Sequence, residues 1–226
     1  MRKLLLSVSV ALLTLLAACE QEVYEKGDGE YSYMRADFVE AFVNADMQVS
    51  RVVTDDDDEL PLTKPYSADW IKRPDTTYRA VLYYNKVENR AEPLSIARVT
   101  TLTLRNDSNA VSKWNPDPIG METVWIGHNL RYLNLGLVLK TGAMDKDAKP
   151  QSIGMLNGGI TVNEDNTRTL QLLFNHHQGD APEYYSQRAY VSLPLSGIDA
   201  DSVRLTVVTY NGTVVRTFSI QEESGY

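Results

Sequence analysis

Polar and apolar residues alternate with a period of two over much of this chain, the spacing of strands that bury one face. The alternation is cleanest in the second half. Leu133, Leu135, Leu137 and Leu139 share one parity, opposite Asn134, Gly136, Val138 and Lys140. Leu170, Leu172 and Phe174 repeat the device, as do Val191, Leu193 and Leu195, and then Val203, Leu205 and Val207. Turn residues punctuate these runs at Asn157-Gly158-Gly159, Glu164-Asp165-Asn166 and Asn211-Gly212. Asn-Gly between two β runs is a strong hairpin signal, because both residues accept positive φ. Antiparallel strands at these intervals predict a β-sandwich.

The first half follows the same period less regularly. Met34, Ala36 and Phe38 alternate with Tyr33, Arg35 and Asp37, which predicts a strand. Met47 to Thr54 is a second β run, broken by Asp55-Asp56-Asp57-Asp58. Thr76 to Val87 and Leu94 to Leu104 are rich in β-forming residues. About five strands fit between Tyr31 and Arg105, with Pro61, Pro65 and Pro74 in the connections. So many short strands favour a small closed barrel, which leaves no edges exposed. Asn106-Asp107-Ser108-Asn109 and Asn115-Pro116-Asp117-Pro118 mark a break. The expected fold is all-β, a barrel over residues 31–110 and an antiparallel sandwich over residues 111–226. No long run has helical period, and a short helix is expected only near Ala68–Ile71.

The start of the chain has a different pattern. Arg2 and Lys3 precede a Leu/Val/Ala-rich stretch from Leu4 to Ala18, which closes in Leu16-Ala17-Ala18-Cys19. The run is roughly 15 residues, short of the ~20 a helix needs to cross hydrocarbon, and reads as an export signal over residues 1–18. Cys19 at its end resembles the bacterial lipoprotein lipobox. That resemblance implies diacylglycerol on the Cys19 sulfur, cleavage before it and an acylated new terminus in the outer membrane. Each buried acyl CH2 contributes ~0.8 kcal/mol, so several chains hold firmly. Residues 19–30 carry Glu20, Glu22, Glu25, Asp28 and Glu30 without apolar period and read as a tether. Acidic residues after such a cysteine resemble a surface-export signal, and both the periplasmic face and the cell surface stay open.

Charge narrows the partners. The chain carries a net charge of −8, and loss of Arg2 and Lys3 with the signal makes it −10. A surface this acidic repels phosphate backbones, which argues against nucleic acid. Cys19 is the only cysteine, so its acylation leaves no thiol for disulfides, metal or catalysis. No cofactor is expected.

A lipobox, a small five-strand first domain and a sandwich second domain together resemble the NigD-like family of exported lipoproteins. The segments that carry the likeness are Asn157-Gly158-Gly159-Ile160-Thr161-Val162, Leu170-Gln171-Leu172-Leu173-Phe174, Gly179-Asp180 and Tyr190-Val191-Ser192-Leu193-Pro194-Leu195. The resemblance implies an OB-type barrel before the sandwich. It brings no catalytic residues, and its motifs are turns and strand faces.

Few residues suggest chemistry. Asp55, Asp57 and Glu59 alternate along one extended loop and offer three oxygen ligands to a hard cation, although the glycine and distant glutamate of a dedicated calcium loop are missing. The bland alternative is a solvated acidic turn. His176 and His177 are adjacent on a strand and point oppositely, so they cannot chelate one ion. There is no Gly-x-Ser-x-Gly, HExxH or phosphate loop. Tyrosine is abundant, at thirteen. Tyr83, Tyr84, Tyr184 and Tyr185, with Trp114 and Trp125 beside the domain break, are candidates for a ligand-binding face or cleft. Ordinary cross-strand packing is the alternative for each. The reading is a non-catalytic, membrane-anchored envelope protein that binds a protein or glycan partner. An immunity-type factor against a bacteriocin-like toxin is the alternative, and an envelope hydrolase a distant third.

Overall fold

The computed structural model describes residues 34–221. Cys19, with the expected export signal and tether, lies outside the described residues. Five strands open the fold: β1 (Met34–Val43), β2 (Val49–Thr54), β3 (Glu59–Tyr66), β4 (Thr77–Val87) and β5 (Arg90–Arg98). They close into a barrel in the order β1-β2-β3-β5-β4, with β4 pairing back onto β1. Val39, Ala41, Leu60, Leu62, Leu82 and Tyr84 fill its interior.

In β1 the buried parity is the one that carries Val39. Val39, Ala41 and Val43 are buried in the barrel, whereas Met34 and Ala36 are exposed and Phe38 is half-buried. Phe38 is covered from outside the barrel, by Trp125 and Tyr190 of the second domain. Pro61 and Pro65 lie within β3 instead of in connections. That strand tolerates them because its pairing is sparse: it meets β5 at only one residue pair, Leu62 with Ala91. The segment at Ala68–Ile71 forms a turn, with the Ile71 N–H bonded to the Ala68 carbonyl, and no helix.

The sandwich begins earlier than the Asn/Pro-rich break suggested. β6 (Thr100–Thr101) and β7 (Leu104–Arg105) already pair with sandwich strands. The changeover is thus at Val99, about ten residues before the expected boundary at 110. The break itself contains a one-turn helix, α1 (Ser108–Ser112), whose first turn is capped by the Asp107 carboxylate accepting from Ala110 N–H. The remaining strands are β8 (Gly120–Ile126), β9 (Tyr132–Thr141), β10 (Ser152–Val162), β11 (Arg168–His177), β12 (Tyr185–Pro194), β13 (Ser202–Thr209) and β14 (Gly212–Ser219). One sheet runs β14-β13-β11-β10-β7 and the other β6-β12-β9-β8. Pairing is mostly antiparallel, with parallel contacts at β10–β7, β11–β13 and β12–β6. Leu133, Leu135, Leu137, Leu172, Phe174, Leu193 and Leu205 meet between the sheets, on the expected parity. No helix among the described residues is long and apolar enough to cross a membrane.

Candidate functional site

Barrel and sandwich belong to one compact unit, and the site is built where they meet. Arg79, on β4, is the centre. Its side chain is only 1% exposed, yet it points out of the barrel toward the second domain. Nη1 and Nη2 donate to the two carboxylate oxygens of Asp55 at 2.7 and 2.6 Å, a forked pair. The same guanidinium donates to Ser192 Oγ on β12 at 3.3 Å and to Asn134 Oδ1 on β9 at 3.1 Å. The Ser192 hydroxyl donates to Asn134 Oδ1, and Asn134 Nδ2 donates to Asp55. Every polar group at the centre therefore has a partner, as burial of charge requires.

Aromatic rings wall this network. The Arg79 guanidinium lies 4.1 Å from the Tyr132 ring centre and 5.3 Å from that of Phe38. Phe38 meets Trp125 and Tyr190 edge-on, at 5.0 and 5.4 Å. The Tyr132 hydroxyl donates to Glu40 at 2.9 Å. Burial, and then the Glu40 carboxylate, push the Tyr132 phenol up to about 12. The turn after β8 seals the seam from the other side. Asn129 N–H donates to the Asp55 carbonyl, and a Cβ on Gly127 would lie 2.7 Å from Cγ of Asp55.

Beside this seam is a cleft of about 390 Å3. One wall is Asp37 and Phe38 of β1, another is the acidic turn at Asp55 and Asp56, and the third is Trp125 with the turn to His128. Asp37 accepts the Tyr84 hydroxyl at 2.7 Å from inside the barrel. Burial and then that carboxylate push the Tyr84 phenol up to about 12. Asp56 lies 3.1 Å from His128 Nδ1, with both side chains in solvent.

The expected cation site does not form. Asp55 is held by Arg79, Asp57 by Arg131 at 2.8 Å, and Glu59 by Arg51 at 3.0 Å. Three different cations draw the carboxylates apart, and among the described residues no cluster of His, Cys, Asp or Glu could hold a metal ion. The six aromatic candidates are also dispersed. Trp125 alone lines the cleft. Tyr84 is buried inside the barrel, and its neighbour Tyr83 faces outward. Trp114 is tied to the sandwich by its indole N–H, which donates to the Phe174 carbonyl at 3.1 Å. Tyr184 and Tyr185 are exposed at the start of β12, seven residues or roughly 23 Å of strand away from Ser192. His176 is buried, with its ring nitrogens against the Asp117 carbonyl and Gln151.

Arg79, Asn134 and Ser192 were not distinguishable in the sequence. Each sits mid-strand on the parity opposite apolar neighbours and reads as solvent-facing. Only docking of the two domains buries them.

The structure and sequence have recognisable relatives. The family model described as NigD-like C-terminal beta sandwich domain matches residues 100–220. No curated protein matches the chain. Among solved structures, a NigD-like immunity protein from Bacteroides caccae is 21% identical, with TM-score 0.61 over 82% of this chain and 96% of that one. A protein of unknown function from Bacteroides vulgatus is 12% identical, with TM-score 0.62 over 84% and 93%. A candidate lipoprotein from Bacteroides fragilis is 12% identical, with TM-score 0.55 over 84% and 98%. At these identities the structural likeness shows the fold, which includes the barrel as well as the sandwich. The sequence match over more than half of the chain carries the further conclusion that it belongs to the NigD-like family.

Proposed function

We propose that this chain is a non-catalytic envelope protein, held at a membrane by acyl chains on Cys19, that binds a protein partner through the barrel–sandwich cleft. The observation that carries this reading is the composition of the cleft. The rings of Phe38 and Trp125 line it beside the solvent-facing Asp56 carboxylate, while the Asp37 carboxylate turns to the Tyr84 hydroxyl. Aromatic faces and carboxylates together suit a lysine or arginine side chain. The two rings are 85° apart, so they do not form a flat platform for stacking a sugar. That favours the protein partner over the glycan.

The immunity-type reading is compatible with the same cleft, since a cationic toxin would present basic side chains. Its specific support is the name of the Bacteroides caccae neighbour, a NigD-like immunity protein. The Bacteroides fragilis neighbour, a candidate lipoprotein, supports the anchor. The His128–Asp56 pair gives a hydrolase no support. Its side chains are 89% and 68% exposed, so neither is sheltered from water.

The test uses the tethered chain in its native host. Asp56→Lys should abolish partner recovery. Cys19→Ala should release the chain from the membrane fraction while partner recovery persists. Recovery unchanged by Asp56→Lys would overturn the cleft reading, and membrane retention of Cys19→Ala would overturn the anchor.

A further inference from the structure

A second recess, of about 490 Å3, lies on the sandwich between α1 and the paired ends of β10 and β11. Its floor is two alternate cross-strand pairs, Ser152 with His177 and Gly154 with Asn175. Pairs two residues apart share one face of a sheet, so Ser152, His177 and Asn175 project on the same side. At Gly154 the floor is open: a Cβ there would meet no heavy atom within 4 Å.

The recess carries more cations than carboxylates in a chain whose net charge is −8. Its charged groups are Arg105, Lys113 and a single carboxylate, Asp107, with the His177 imidazole beside them. That carboxylate is already engaged. One oxygen caps α1 by accepting Ala110 N–H at 2.9 Å, and the other accepts from Arg105 at 3.1 Å. Among the described residues, neither Lys113 nor His177 has a carboxylate partner. Lysine in a concave site serves as a point charge for oxyanions, and the shape of the recess concentrates its field. Ser152 and Asn175 add uncharged hydrogen-bonding groups alongside.

We propose that this recess binds an oxyanion ester, a phosphate or sulfate group carried on a polar body. Lys113 and Arg105 hold the anion, and the polar floor receives the body. The same chemistry is presented by a soluble sugar phosphate and by an anionic lipid headgroup.

Calorimetric titration of the full chain carrying Cys19→Ala tests this with glucose 6-phosphate, glucose, and vesicles of phosphatidylcholine with or without phosphatidic acid. Glucose 6-phosphate should bind and glucose should not. Lys113→Glu should weaken binding at least about tenfold. Gly154→Gln, which fills the floor, should do the same with an unchanged melting temperature. Binding to phosphatidic acid vesicles alone, weakened by the same substitutions, would support the assignment with a headgroup as source. Absence of binding to every anionic probe, or binding that survives both substitutions, would overturn it.

Discussion

Arg79 and Asp55 meet in a forked pair of hydrogen bonds, 2.7 and 2.6 Å long, where a barrel strand, the acidic turn and two sandwich strands converge. Because the arginine is almost wholly buried, removing one partner strands a charge in a poor solvent. Arg79→Ala and Asp55→Ala should each cost about 3–5 kcal/mol. The double substitution should cost clearly less than the sum of the two, measured by urea denaturation. Additive losses would show that the two charges act separately.

Arg131 supplies the contrast. It too bridges the domains, to Glu40 at 3.0 Å and Asp57 at 2.8 Å, but its side chain is 46% exposed. Water and salt screen such a pair, so Arg131→Ala should cost under about 1 kcal/mol. A loss equal to that of Arg79→Ala would place the lock on the rim instead of at the buried centre.

Gly127 is a tight point of the seam. A methyl group there would press on Asp55 with its carboxylate already fixed by Arg79. Gly127→Ala should cost about 1–3 kcal/mol in the same denaturation experiment, the usual range for overpacking. A neutral result would mean that the turn after β8 shifts freely.

Tyr84 and Tyr132 set the alkaline limit. Both phenols are pushed up to about 12, above the ordinary value of 10.0. Groups with raised pKa stabilise the fold fully below the unfolded value, and that stabilisation is lost as pH rises through the folded one. Stability should therefore fall between pH 10 and 12, followed by tryptophan fluorescence against urea at each pH. Tyr132→Phe should flatten part of that fall. An identical profile in the variant would separate Tyr132 from the effect.

Calcium should leave the melting temperature unchanged, because Asp55, Asp57 and Glu59 are each drawn to a different arginine. A calcium-dependent rise, reversed by chelator, would contradict that division of the acidic turn.

The sandwich was legible because its strands follow one rule: Leu133, Leu135 and Leu137 point inward and are fully buried. The barrel was legible in strand number but not in facing. Phe38 shares a parity with Ala36, and only the neighbouring domain decides that this side is the outer one. The site was the least legible part. Asn134 and Ser192 follow the polar parity of half-exposed strands, and nothing local marks them as buried. Asp55 looked like the first ligand of a cation loop because its partner, Arg79, lies 24 positions away. Long-range docking, which periodicity does not encode, accounts for these differences.

Position-specific photocrosslinking in the native host addresses the cleft most directly. A photoreactive residue at His128, on the rim of the cleft, should capture one protein partner, and the same residue at Tyr185, on a distant part of the sandwich, should capture none. Capture from Tyr185 as efficient as from His128, or from Tyr185 alone, would contradict the assignment of the cleft as the binding surface.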